Sequence, residues 1–426
     1  MDKIDQIIEL IRSEMKPSLG CTEPAAIGLA VSNTCRYLEN PAKHLKLKLS
    51  SNIFKNAYSV KIPNAGKAGV RLAAALGCLL ARPDNTMEIF SGVNPGLVEQ
   101  AEQMAGGGFI ELEILPSSAF YIEVTASNQK ETVDTLTLDS HDNLVKAVRN
   151  GEALVDREQT APAIGAKAGR FDPKGLSIRE ILKVCETVPI EKILFLREGV
   201  EMNRQVSELG RAGRYGLRVG NRIEDFIQKG YLKEDLVNRI KIAVASACDF
   251  RMGGGNAAVM TVLGSGNQGI EAILPVAAAA GWLEVPEETM LRGVMMSVLV
   301  TMFIKSYVGR LSAVCGAALS GAGSASAICW MMGGTERQIK GAIQNMFGNL
   351  SGMVCDGAKD GCALKLANCA GEAVMSAMLA MDGSIIDGTN GIISSQVEDT
   401  IKNVAALSLE GMGEADMKII DIMLAK

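Results

Sequence analysis

The stretch "LKLKLS", residues 45–50, alternates strictly, with Leu45, Leu47 and Leu49 set against Lys46 and Lys48. A period of two puts the apolar side chains on one face of a strand and the charges on the other. "FIELEIL" (109–115) repeats the pattern, with Ile110, Leu112 and Ile114 against Glu111 and Glu113. "FYIEVTAS" (120–127) and "TVDTLTL" (132–138) predict further strands. Between the first two strands, Asn94 and Pro95 open a helix that Gly106 to Gly108 closes. Residues 41–150 therefore read as a small mixed α/β domain with a largely antiparallel sheet.

The flanks read differently. Residues 3–15 place Ile4, Ile7, Ile8 and Ile11 on one helical face. "KPSLGCTEP" (16–24) breaks that helix, and Pro24 suits the first turn of a second one running to about Leu38. These two helices, residues 1–40, are expected to pack on the C-terminal domain. "GEALVDREQTAPAIGAKAGRFDPKG" (151–175) is linker-like, and Ser177 with Glu180 then forms a capping box. From 176 to 426 there is almost no alternation, only helical patterns broken by glycine-rich turns. The expected fold class is α+β: a large all-helical domain with the small α/β domain inserted after two N-terminal helices.

The chain has 426 residues and a net charge of -5, with no basic stripe, so nucleic acid is not an expected partner. The most apolar stretches, "AILPVAAAAGWL" and "GVMMSVLVTMFI", are each about twelve residues long. That is too short for a helix to span a bilayer of about 30 Å, so no membrane partner is expected. The N-terminus lacks the basic head and apolar core of a signal peptide. A cytoplasmic setting is expected, where thiols stay reduced.

Ten cysteines invite sorting. Cys35, Cys78, Cys185, Cys248, Cys329 and Cys369 lie in helix-like apolar runs and read as core filler. Cys21, Cys315, Cys355 and Cys362 each have a glycine within two residues, and glycine lets a backbone approach a bulky group closely. The tightest pair bounds "CDGAKDGC" (355–362). Zinc pairs usually have two to four residues between ligands, and iron–sulfur clusters accept wider spacing. Spacing alone leaves a metal centre and scattered thiols both open.

"GCTEPAAIGLA", "SVKIPNAG" and "CDGAKDGCALK" resemble the L-cysteine desulfidases and their bacterial relatives. More distantly, nearly the whole chain is similar to the α-part of the iron–sulfur L-serine dehydratases. The resemblance implies a 4Fe-4S cluster. "CGAALSGAGSASAICWMMGGTERQI" resembles the segment that opens with the first cluster cysteine, which assigns Cys315. "GNLSGMVCDGAKDGC" resembles the segment with the other two, which assigns Cys355 and Cys362, although the dehydratases space that pair more widely. "MTVLGSGNQGIEAILPV" resembles the stretch lining the substrate site. In "KPSLGCTEP", Cys21 takes the place of a dehydratase histidine. That departure implies a proton-handling thiol near the substrate, with a fourth ligand as the competing role.

The expected reaction is β-elimination on a small-molecule L-amino acid, L-cysteine first, giving pyruvate, ammonia and sulfide. L-serine deamination and a non-catalytic metal- or thiol-binding protein are the alternatives. Pro24 places Cys21 just before a helix N-terminus, so its thiol is expected to have a lowered pKa and act as base. Lys61 and Asn64 in "SVKIPNAG" are candidates to hold a carboxylate, against the plain role of an exposed turn after a strand. Asn256, Ser265, Asn267 and Gln268 sit in glycine-rich turns suited to fixing the amino acid. Lys305, Lys359 and Lys365 read mainly as solvated charges. A pyridoxal phosphate enzyme is disfavoured because no phosphate cup accompanies a lysine. A homodimer is expected from the family's size and apolar surface.

Overall fold

The computed structural model describes residues 2–117, 119–157 and 171–426. It is an α+β protein. The N-terminal part contains α1 (Lys3–Glu14), β1 (Pro17–Leu19), α2 (Thr22–Cys35), β2 (His44–Ser50), α3 (Ser51–Tyr58), α4 (Val70–Leu80) and α5 (Pro95–Gly106). Five strands follow: β3 (Ile110–Leu115), β4 (Tyr121–Ser127), β5 (Thr132–Leu138), β6 (Leu144–Arg149) and β7 (Glu152–Asp156). Then come α6 (Ile178–Thr187), α7 (Leu196–Ala212), α8 (Val219–Gln228), α9 (Leu236–Met252), β8 (Ala258–Met260) and α10 (Gly266–Trp282). The chain ends with α11 (Glu287–Val308), α12 (Gly316–Met331), α13 (Glu336–Leu350), α14 (Cys362–Met381), α15 (Val397–Ala406) and α16 (Gly413–Leu424).

The six-stranded sheet has the order β3-β2-β4-β5-β6-β7. Only β2 and β3 run parallel, because the segment joining them carries α3 to α5 as a crossover. Leu45, Leu47 and Leu49 are fully buried, as their alternation requires. On the other face Lys46 pairs with Glu111 at 2.7 Å and Lys48 with Glu123 at 2.9 Å. The Asn94 cap and the Ser177–Glu180 capping box both form. One boundary moves: Glu152–Asp156, read from sequence as the start of a linker, is the edge strand β7 paired with β6. Its side chains are mostly exposed, so it carries little alternation to betray it. Residues 158–170 of that expected linker lie outside the described residues.

Among the described residues the buried apolar side chains form two cores, and they divide the N-terminal helices. Ile7, Ile8, Leu10 and Ile11 of α1 join the core of the helical half, as expected. Ala25, Ala26, Ile27, Ala30 and Val31 of α2 instead join the core beneath the sheet. The two N-terminal helices thus pack into different cores. The reason is shape: α2 is lined with small residues and crosses α4 backbone to backbone. A Cβ built on Gly77 would lie 2.3 Å from the Gly28 carbonyl oxygen. Gly77→Ala should push the two helices apart and cost about 1–3 kcal/mol, read as a lower denaturant midpoint.

Two further features escaped the sequence. β1 and β8, three residues each, pair antiparallel and tie the segment before Cys21 to the glycine-rich turn before α10. The apolar run 293–304 belongs to the 22-residue α11, so its length alone does not exclude a span. Most of that helix is buried inside the protein, which accounts for its composition.

Candidate active site

Cys315, Cys355 and Cys362 converge through a short antiparallel bridge and two helix starts. Val314 bridges Val354, with the Cys315 N–H donating to the Met353 carbonyl at 2.8 Å and the Cys355 N–H to Ala313 at 2.7 Å. Cys315 is the residue before α12, and Cys362 is the first residue of α14. Gly357, at φ 90°, turns the intervening loop, and the Cys362 thiol donates to its carbonyl at 3.7 Å. All three thiols are free. Burial first, then the neighbouring Cys355 and Cys362, pushes the Cys315 thiol up to about 12. Burial and Cys355 likewise raise Cys362.

Among the described residues, no three His, Cys, Asp or Glu side chains are grouped to hold a single metal ion. A compact zinc centre with donors about 2.0–2.3 Å from one ion is therefore not formed by the trio. Three mutually interacting thiols, two of them at helix N-termini and all with lysines beside them, have the donor chemistry of an iron–sulfur ligand set. Lys365 donates to the Val354 carbonyl at 2.8 Å and pairs with Asp356, as does Lys359.

Lys305 is not a solvated charge. It is 1% exposed, donates to Ser312 Oγ at 3.3 Å, and burial lowers its pKa from 10.5 to about 7. Nearby Cys355 pulls that value back up, and Arg310 pushes it down. Between about pH 7 and 10.5 the unfolded chain holds more protons on this lysine than the folded one. Its contribution to stability should thus rise with pH over that window, by at most about 1.4 kcal/mol per pH unit. Thermal melts of the apoprotein across the window should show a shallower slope for Lys305→Met.

Cys21 sits before the N-terminus of α2, as expected, yet its thiol is not activated there. It is 3% exposed, and burial, reinforced by Glu23, raises its pKa far above the usual thiol range. The helix dipole is outweighed by desolvation. The thiol donates to Glu23 Oε2 at 3.2 Å, and Thr22 Oγ1 donates to the same oxygen at 2.9 Å. Burial pushes the Glu23 carboxyl upward, but His141, Cys21, Thr22 and Arg251 together hold it below the usual range. Asn56 Nδ2 donates to Glu23 Oε1 at 3.2 Å, while Asn56 Oδ1 accepts from the Cys355 thiol at 3.8 Å. Cys21 is thereby linked to the trio.

The other candidates divide. Gln268 is buried, donates to the Val262 carbonyl at 3.2 Å, and lies against Gly316, one residue from Cys315. Its Oε1 has no hydrogen-bond partner among the described residues. Asn267 Oδ1 accepts from Arg251 Nη1 at 2.8 Å, and Arg251 Nε donates to the Gly20 carbonyl at 3.0 Å. Ser265 caps α10 through the Gln268 N–H, a structural task. Lys61 reaches the trio's loop, pairing with Asp360 at 3.4 Å. Asn64 is exposed at φ 62°, and Asn256 is exposed in its own turn. The turn holding Lys61 and Asn64 follows helix α3, not a strand.

Sequence reading missed Glu23, Asn56, Arg251 and His141. Glu23 carried a faint signal, an acid at the start of a helix whose next eight residues are apolar or small. His141 comes from the turn between β5 and β6: it is buried, its Nε2 has no hydrogen-bond partner among the described residues, and a Cβ on Gly264 would lie 2.6 Å from its ring.

A helical half presenting three convergent thiols, faced by a sheet-backed helix presenting a thiol–carboxylate pair, defines the architecture. The chain belongs to the serine dehydratase alpha chain family, whose sequence model matches residues 51–421. It is also similar to three relatives called UPF0597 protein. One from Clostridium botulinum (strain Okra / Type B1) is 37% identical, covering 99% of this chain and 96% of the relative. One from Porphyromonas gingivalis is 35% identical over 99% and 98%, and one from Alkaliphilus metalliredigens 37% over 98% and 94%. The family match includes the trio but begins after Cys21 and Glu23.

Proposed function

We propose that the protein is an iron–sulfur lyase that performs β-elimination on a small L-amino acid, with L-cysteine as substrate and pyruvate, ammonia and sulfide as products. The observation that carries the reading is the Cys21–Glu23 pair joined through Asn56 to Cys355. Membership of the serine dehydratase alpha chain family supports the reaction class. The preference for cysteine rests on the likeness of "GCTEP" and "CDGAKDGC" to the desulfidases.

Cys315, Cys355 and Cys362 would hold the cluster, which when bound supplies a Lewis-acidic iron toward the substrate. The chain's own groups handle the proton. In one concerted relay, Cys21 Sγ takes the α-proton while its own proton passes to Glu23 Oε2, so no free thiolate has to form. This relay suits a thiol too buried to ionise at rest. Arg251 fixes Asn267 and the Gly20 carbonyl, and Gln268 offers an unpaired amide oxygen to the substrate ammonium. Loss of sulfide leaves aminoacrylate, which tautomerises to an imine and hydrolyses to pyruvate and ammonia.

The test is anaerobic reconstitution followed by assay of L-cysteine, L-serine and other β-substituted amino acids, with iron and acid-labile sulfide measured alongside. The expected result is a kcat/KM for L-cysteine about 10-fold or more above that for L-serine, with pyruvate and sulfide formed in equal amounts. The family description favours one second reading, L-serine deamination, which a reversed ratio would establish. A loaded protein that turns over none of them is a non-catalytic thiol protein.

A further inference from the structure

The last helix reaches back to the segment between the two halves of the site. Lys55 and Asn56 are consecutive on α3 and so point about 100° apart, toward different neighbours. Lys55 is fully buried, and its Nζ pairs with Asp416 of α16 at 2.6 Å, with Asp416 itself 8% exposed. Two more ties secure α16: Tyr58 Oη donates to the Met423 carbonyl at 3.3 Å, and Ile420 is buried in the core beneath the sheet. On its other side α3 fits against the cysteine loop, where a Cβ on Gly357 would lie 2.4 Å from the Lys55 carbonyl oxygen. Asn56 then projects both amide atoms into the site, one toward Glu23 and one toward Cys355.

We infer that Asn56 is a positioning residue that sets Glu23 against Cys355, and that α16 holds it there through the buried Lys55–Asp416 ion pair. Its catalytic consequence rests on the lyase reading above; its structural consequence does not. Removing one partner of a buried pair leaves a charge in an apolar site, which must move to reach water. Here the movement displaces α3, Asn56 with it, and the loop seated on the α3 backbone. Replacing both partners by apolar side chains of similar volume removes the charge and keeps the packing.

The experiment compares Asn56→Ala, Asp416→Asn and the double variant Lys55→Met/Asp416→Leu, each as the full chain. Three readouts are taken: the apoprotein melting temperature, the rate of Cys355 alkylation by iodoacetamide in the apoprotein by peptide mass, and kcat and KM with L-cysteine after reconstitution. Asn56→Ala should keep the wild-type melting temperature, alkylate several-fold faster at Cys355, and lose about 10–100-fold in kcat with KM little changed. Asp416→Asn should melt earlier and show the same faster alkylation, and the double variant should recover both. Wild-type alkylation in Asn56→Ala overturns the placement of Asn56. A double variant that regains stability while Cys355 stays exposed to alkylation overturns the role of the ion pair. If the wild type forms no pyruvate from any substrate, the alkylation arms still decide, and only the lyase reading falls.

Discussion

Cys355→Ser is expected to strip the protein of iron, while Cys21→Ser keeps the iron and loses turnover. Two thiolates and an alcohol hold a cluster poorly, and Cys355 is the trio member that also touches Asn56. Cys21 lies on the other side of that amide, hydrogen-bonded to Glu23 and not part of the bridge between Val314 and Val354. A serine hydroxyl at that place passes its proton to Glu23 far less readily than a thiol, so kcat should fall by about 10²–10⁴-fold. Iron per chain and pyruvate formed, both after anaerobic reconstitution, separate the two roles. Equal iron loss in both variants would make Cys21 a fourth ligand. Full activity in Cys21→Ser would remove its part in proton transfer.

Glu23→Gln is the second substitution with a large expected effect. The carboxylate accepts from Cys21, Thr22 and Asn56. Burial pushes its pKa up, and His141, Cys21, Thr22 and Arg251 hold it below the usual range. Glutamine preserves the shape but cannot take the thiol proton. Turnover should fall by about 10²–10⁴-fold with iron content unchanged. The pH dependence of stability has a definite sign. A depressed carboxyl pKa contributes stability above the unfolded value, and that contribution is lost as pH falls through the folded one. The acid-side unfolding profile of the apoprotein should therefore flatten in Glu23→Gln. An unchanged rate would move proton transfer to another group, and His141 and Lys305 are buried titratable groups that interact with Glu23.

Local pattern was enough for four of the sheet's six strands, two helix caps and the helical character of the C-terminal half, but not for β6 or β7. "LKLKLS" becomes a central strand because alternation leaves its leucines one way to be buried. Asn94 and Ser177 cap helices because their side chains satisfy free N–H groups three residues on, a purely local bond. The glycine-flanked cysteines also stood out from those buried in apolar runs, and three of them share one place in the fold.

Only the tertiary structure decided what that place can do. β1 and β8 are too short to show a period and pair across some 240 residues. α2 went to the sheet because Gly28 and Gly77 admit a backbone crossing, which no single helix pattern encodes. The state of Cys21 was misjudged for the same reason. Its position before a helix is local, but the burial that raises its pKa comes from parts of the chain packed around it. Asn56, Arg251 and His141 acquire meaning only beside partners distant in sequence, and Glu23 adds Asn56 to its two local partners. Residue patterns specify the elements because those depend on neighbours along the chain; the charge state of a buried group depends on neighbours in space.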